Sequence, residues 1–316
     1  MRMRAALCGI ALLALGSCAS PGERIGVSMA LFDDNFLTVL RQGMQTHART
    51  LENVRLQVED AQNDVAKQLS QIQNFIAQDV DAIIVNPVDT DATPAMTRLA
   101  VEAGVPIIYV NRQPADLDVL PPTAAFVGSN EVESGTLETK AVCRLLTEAG
   151  KASAGIVIMM GELSNQAARQ RTQDIRDVIA TPECAFMKVV EEQTGNWRRT
   201  EGHDLMANWI SAGTRFDAVI SNNDEMAIGA IQALKAAGYD MGTIIVAGID
   251  ATQDALAAMK AGDLDVTVFQ DAAGQGKGAV DAALRLARGD SAVERTVWIP
   301  FELVTPANIE RYLARN

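Results

Sequence analysis

The sequence predicts an α/β protein built as two doubly wound parallel-sheet lobes with a ligand cleft between them. Three observations predict it. Short apolar runs of strand length alternate with segments of helical period from Arg24 onward, the pattern of parallel strands joined by crossover helices. The pattern also echoes itself. Asp81-Ala82-Ile83-Ile84, a helix, Ala103-Gly104, a strand and Asn111-Arg112 are matched by Asp217-Ala218-Val219-Ile220, a helix, Ala237-Gly238, a strand and Asp250. Finally, 316 residues suit two domains at roughly 150 residues each. Composition agrees: 48% hydrophobic and 21% charged residues describe a globular chain with a core. A net charge of -13 argues against a nucleic-acid partner, which needs a surplus of Lys and Arg. Aromatics are only 4%, so any aromatic near a predicted cleft stands out.

The chain opens on a targeting signal. Arg2 and Arg4 precede an apolar run from Ala5 to Ala14, a secretory signal too short to span a bilayer. The run ends in Leu15-Gly16-Ser17-Cys18. That tetrapeptide resembles the lipobox of bacterial lipoproteins, whose cysteine is lipidated and becomes the mature N-terminus. The alternative is an ordinary signal cleaved nearby, with Cys18 incidental. Residues 1–17 are read as the signal and 18–23 as a polar tether. Without Arg2 and Arg4, 25 basic residues face 40 acidic ones, a net -15. Of 4 cysteines, Cys143 and Cys184 remain in an oxidising compartment. They form a disulfide or stay as two separate buried thiols, because sequence does not give their separation. No later apolar run approaches the ~20 residues of a membrane-spanning helix.

Strands follow at Ile25–Met29, Ala82–Val85, Pro106–Val110, Gly155–Met159, Ala218–Ile220 and Ile244–Ala247, with helical period over Phe36–Met44 and Val65–Ile76. In such sheets ligands bind beyond the carboxyl ends of the strands. The first strand is followed by Phe32-Asp33-Asp34-Asn35-Phe36, and Tyr109-Val110 by Asn111-Arg112-Gln113. The second half offers Gln166–Arg169, Asn196-Trp197-Arg198, Asn222–Glu225, Gly248–Asp250 and Phe269-Gln270-Asp271. Any one of these reads equally as a helix cap or turn. Together at one cleft they suit a polyhydroxylated ligand. Such a ligand needs side chains that donate and accept, and flat apolar faces against its C–H surface.

With these residues in view, the chain resembles the type I periplasmic sugar-binding proteins of ABC transporters, the ribose-, galactose- and inositol-binding group. The resemblance runs from Arg24 almost to the C-terminus. Asn222–Ala230, Val246–Asp250, Gln166–Arg171 and Tyr109–Gln113 carry it. It implies two Rossmann-like lobes: residues 24–128 plus 271–300, and 129–270 plus 301–316. It implies ligand contacts at Asp34, Phe36, Asn111, Arg112, Arg169, Trp197, Asn223, Asp250 and Gln270, with Phe32 and Asp33 as lesser candidates. Arg112, Arg169, Asn223, Asp250 and Gln270 would bond hydroxyls, while Phe36 and Trp197 cover apolar faces. It also implies a monomeric carrier in the periplasm or cell envelope, anchored to the membrane by its lipid. Its partner would be an ABC permease with separate ATPase subunits. Ribose-binding relatives carry Asp-Arg where Asn111-Arg112 stands, and Asn-Asn-Pro-Phe where Asp33-Asp34-Asn35-Phe36 stands. These departures point away from ribose and toward the inositol- and rhizopine-binding branch. The expected ligand is a cyclitol, myo-inositol first. An amino-cyclitol comes next, then ribose or another monosaccharide.

Other readings are weaker. Gly274-Gln275-Gly276-Lys277-Gly278-Ala279 fits a dinucleotide fingerprint but falls late in the chain. Tight helix packing is the expected role of its glycines, and no cofactor is expected. His47 and His203 are isolated on predicted helices, which argues against a metal cluster. A catalytic role lacks a G-x-S-x-G elbow or a Cys–His pair. A sugar-responsive repressor would need a basic DNA-binding N-terminus, where this chain has an export signal.

Overall fold

In the computed structural model, residues 22–290 and 292–315 are described. The signal, Cys18 and most of the tether lie outside them; Glu23, assigned to the tether, instead opens the first strand. The first lobe begins with β1 (Glu23–Met29), α1 (Asn35–Arg49), β2 (Val54–Asp60), α2 (Val65–Ala77), β3 (Ala82–Val85) and α3 (Thr93–Ala103). β4 (Ile107–Val110) and β5 (Ala124–Gly128) follow. The second lobe holds α4 (Glu131–Glu148), β6 (Ala154–Met160), α5 (Gln166–Ile179), β7 (Met187–Thr194) and α6 (Arg199–Ser211). It continues through β8 (Ala218–Ser221), α7 (Asp224–Ala236), β9 (Ile245–Ala247), α8 (Gln253–Lys260) and β10 (Thr267–Phe269). α9 (Ala272–Ala287), β11 (Thr296–Trp298) and β12 (Glu302–Val304) close the chain.

The fold class is the one the sequence predicts. Six parallel strands in the order β11-β5-β4-β3-β1-β2 form one sheet, and four in the order β7-β6-β8-β9 form the other. β10 and β12 make a separate antiparallel pair. The chain leaves the larger sheet after Gly128. It returns after Phe269 through α9, which packs on α1 and on β3–β5. It crosses again between β11 and β12. The central strands are sealed on both faces: β3, β4, β5 and β8 are buried throughout. That burial is what makes them continuous apolar runs rather than alternating ones.

Two packing details matter. A Cβ on Gly276 would come within 2.8 Å of the Leu40 carbonyl, and one on Gly43 within 2.9 Å of the Ala273 Cα. The glycines of the Gly274–Ala279 segment therefore lie inside α9 and let it approach α1 closely; they do not form a phosphate loop. Cys143 of α4 and Cys184 are joined in a disulfide, their Cα atoms 5.7 Å apart. His47 on α1 contacts Asp281 on α9 at 2.6 Å, and His203 on α6 contacts its neighbour Asp204.

Candidate functional site

The carboxyl ends of both sheets face one cavity of about 40 Å³. The first lobe supplies two walls. Beyond β1, Asp34 caps α1, its Oδ1 accepting from the Leu37 amide at 2.7 Å. The same helical turn carries Phe36 and Leu37 into the lining. Beyond β4, Asn111 sits in the left-handed region at φ 67°. Its Oδ1 accepts from Asn86 at 3.3 Å. Arg112 turns inward, and its Nη1 donates to the carbonyls of Pro87 at 2.9 Å and Val88 at 3.3 Å.

The second lobe supplies the rest. Asn165 caps α5, and Arg171 lies further along the same helix. Arg171 is anchored on three sides. Nε and Nη2 donate to Glu131 at 2.7 and 3.1 Å, Nη1 to the Asn222 carbonyl at 2.7 Å, and Nη2 to Gln270 at 3.4 Å. Trp197, beyond β7, is held by Asn223, whose Nδ2 donates to the Trp197 carbonyl at 3.1 Å. Asn223 also caps α7. The Trp197 indole lies against Gly161, where any Cβ would overlap the ring. Asp250 follows β9, and its amide donates to Val268 at 2.8 Å.

Backbone strain concentrates here. Asn111, Trp197 and Asp250 have φ of 67°, 66° and 123°, each costing roughly 1–3 kcal/mol for a non-glycine residue. Such strain persists where the surrounding structure over-determines it, commonly at ligand sites.

The charges are coupled. Burial pushes Asp250 well above the usual carboxylate range; Arg171 opposes the shift, while Asp224, Asp34 and Glu131 add to it. Burial also raises Asp34, against the Leu37 amide and Arg112. Arg112 is lowered by burial despite Glu162 and Asp34. Burial works to lower Arg171 as well, but Glu131, in bidentate contact, carries it upward. Fully buried Glu138 is raised well above its ordinary value by burial, with Arg171 opposing. The cavity thus holds the Arg171–Glu131 pair, Arg112, and two carboxylates, Asp34 and Asp250, that burial raises.

Eight of the nine residues expected to touch ligand line this space: Asp34, Phe36, Asn111, Arg112, Trp197, Asn223, Asp250 and Gln270. Arg169 does not. Its side chain is 42% exposed and pairs with Asp91 at 3.1 Å, whereas Arg171 is 5% exposed. Two positions along a helix turn a side chain by about 200°, so only one of the two arginines can face the cavity. Phe32 also lies elsewhere, stacked under Arg41 with 4.0 Å from guanidinium carbon to ring centroid. Asp33 is exposed and does not line the cavity; it borders a neighbouring recess that shares Asp34 and Trp197 with it. Sequence reasoning missed Glu131, Asn165 and Arg171. The signal for Arg171 was there: Ala168, Arg171, Ile175 and Val178 share one buried face of α5 at helical spacing.

Among the described residues, no helix is long and apolar enough to cross a membrane. The family model described as periplasmic binding protein domain matches residues 25–291. A Rhizobium meliloti protein provisionally named for rhizopine binding is 62% identical over 314 residues, covering 99% of this chain and 100% of that protein. An ABC transporter solute binding protein of Bacillus halodurans C-125, solved with bound myo-inositol, is 45% identical. It superimposes with a TM-score of 0.87, over 94% of this chain and 100% of that one. The Caulobacter myo-inositol binding protein, also solved with myo-inositol, is 29% identical with a TM-score of 0.82, covering 91% of this chain and 95% of that one. With two parallel-sheet lobes, a polar cavity between them and a family match across most of its length, the chain belongs to the periplasmic binding protein family.

Proposed function

We propose that this chain captures a cyclitol, myo-inositol first, in the cavity between its lobes and delivers it to an ABC permease. One observation carries the reading. Side chains from both lobes converge on a single cavity with donors, acceptors and flat apolar faces on different walls. Arg112 and Arg171 donate, Asp34 and Asp250 accept, and Asn111, Asn223 and Gln270 do both. A ring with a hydroxyl on every carbon uses such a lining on all sides. The buried Trp197 Nε1 finds no acceptor among the described residues, and a ligand oxygen would supply one. The relatives solved with myo-inositol support the choice. As in other periplasmic binding proteins, the lobes close because the bound ligand contacts both and so favours the closed state. The closed form would then dock on the permease. The protein acts as a carrier, returning its ligand unchanged.

An amino-cyclitol is the second reading. Asp34 lies in the field of Arg112 and Asp250 in that of Arg171, yet burial raises both carboxylates. An ammonium on the ligand would offset the burial that raises these carboxylates. The Rhizobium meliloti relative supports this variant. Calorimetric titration separates the readings. Myo-inositol is expected to bind while D-ribose and D-galactose stay silent; tight ribose binding with myo-inositol silent would contradict it. A cationic amino-cyclitol that binds more tightly than myo-inositol would favour the second reading. We also place a lipid on Cys18, one of more than one acyl chain that stable anchoring needs. Mass spectrometry of the detergent-extracted protein should find it, and an unmodified Cys18 would refute it.

A further inference from the structure

Outside the cavity, the two lobes touch through hydrogen bonds that no ligand mediates. They form two groups. In the first, the Thr90 amide and hydroxyl both donate to the Ser164 carbonyl at 3.1 Å, and the Gln166 amide donates to Thr90 Oγ1 at 3.1 Å. Thr90 is fully buried, and its bonds to Ser164 and Gln166 are partly buried. Beside them, Asn63 Nδ2 donates to Glu162 at 2.8 Å and Arg169 Nη2 to Asp91 at 3.1 Å. Asn63 and its neighbour Gln62 both hold left-handed backbone, at φ 58° and 55°, which fixes the amide in place. In the second group, Asn35 Nδ2 donates to Glu225 Oε1 at 2.7 Å. Arg199 holds that carboxylate by two bonds, at 2.9 and 2.8 Å, and is itself tied to Asp254 at 2.6 Å. The acceptor is therefore rigid before Asn35 reaches it.

We infer that these two groups form an interlobe latch that sets the balance between open and closed forms independently of the ligand's chemistry. Thr90, Asn63, Asp91 and Asn35 belong to the first lobe, and Ser164, Gln166, Glu162, Arg169 and Glu225 to the second. Each bond exists only when the lobes are together, so each contributes to the closed state alone. Ligand affinity scales with the fraction of molecules able to close. The latch residues thus act on affinity without touching ligand, and Arg169 is one of them. The inference rests on the two-lobe closure reading but not on which polyol is bound.

The test needs no ligand. Spin labels go on exposed Arg98 of α3 and Gln173 of α5, one per lobe, and double electron–electron resonance reads the interlobe distance in the ligand-free protein. Wild type is expected to show a closed population. The triple variant Asn35→Ala, Asn63→Gly, Arg169→Ala should lose it. Loss of the part-buried Asn63–Glu162 bond should lower the closed-to-open ratio by about three- to tenfold, and loss of the exposed Asn35–Glu225 and Arg169–Asp91 contacts by less each. Asn63→Gly keeps the left-handed backbone available, and an unchanged melting temperature verifies that the lobes stay folded. Superimposable distance distributions for wild type and the folded variant would overturn the latch, whether or not myo-inositol binds.

Discussion

Arg171→Ala is expected to remove measurable ligand binding and also to destabilise the protein by about 3–5 kcal/mol, the usual cost of breaking a buried ion pair. The change leaves Glu131, 2% exposed, as an uncompensated buried charge. It also frees the Asn222 carbonyl and loosens Gln270. The two losses are separable. Replacing both partners, Arg171→Leu with Glu131→Leu, should recover most of the stability, because a hydrophobic pair avoids the desolvation penalty. It should not recover binding. Urea denaturation and ligand titration on the two variants check this. Binding that survives in Arg171→Ala would mean the guanidinium serves the fold alone. Arg169→Ala provides the contrast: its effect should be modest.

Asp250→Asn is expected to weaken binding by on the order of a hundredfold, the scale of losing a charge-assisted hydrogen bond or two, while making the ligand-free protein more stable at neutral pH. The sign follows from the carboxyl's raised pKa. Burial lifts Asp250 well above its ordinary 3.8 in the folded state, so the folded chain binds more protons than the unfolded one. Stability from this group is fully present at low pH. It is lost as pH rises from about 4 through the folded value. Asparagine removes that loss. The gain should therefore appear in melting temperatures at pH 7 and vanish near pH 4. Equal melting temperatures for the two proteins at both pH values would contradict a raised Asp250 pKa in the folded state. Asp174 behaves likewise: burial pushes it up to about 7, so it adds to the decline between about pH 4 and 7.

Much of the site was legible in the sequence because parallel sheets confine ligands to one set of strand ends. Asp34 and Asn223 show why the reading was ambiguous at each position alone. Both are helix caps and both line the cavity, so the bland reading and the functional one are true together. The position along α5 was harder. A strand end predicts where a helix starts, not which of its faces turns inward, and Arg169 lost to Arg171 on that point. The edge strands β2 and β7 escaped for a related reason. Each has a solvated side and carries charges such as Glu59, Lys188 and Glu191, so neither reads as a continuous apolar run. The interlobe bonds of Thr90 and Asn63 leave no motif, because they join segments 74 or more residues apart.

A crystal structure of the protein with myo-inositol tests the cavity assignment most directly. The expected result is one ring between the lobes, with Asp34 and Arg112 bonding it from one side, Arg171 and Asp250 from the other, and Trp197 against a C–H face. A ring bound anywhere else, or a cavity that stays filled with water at saturating myo-inositol, would contradict it.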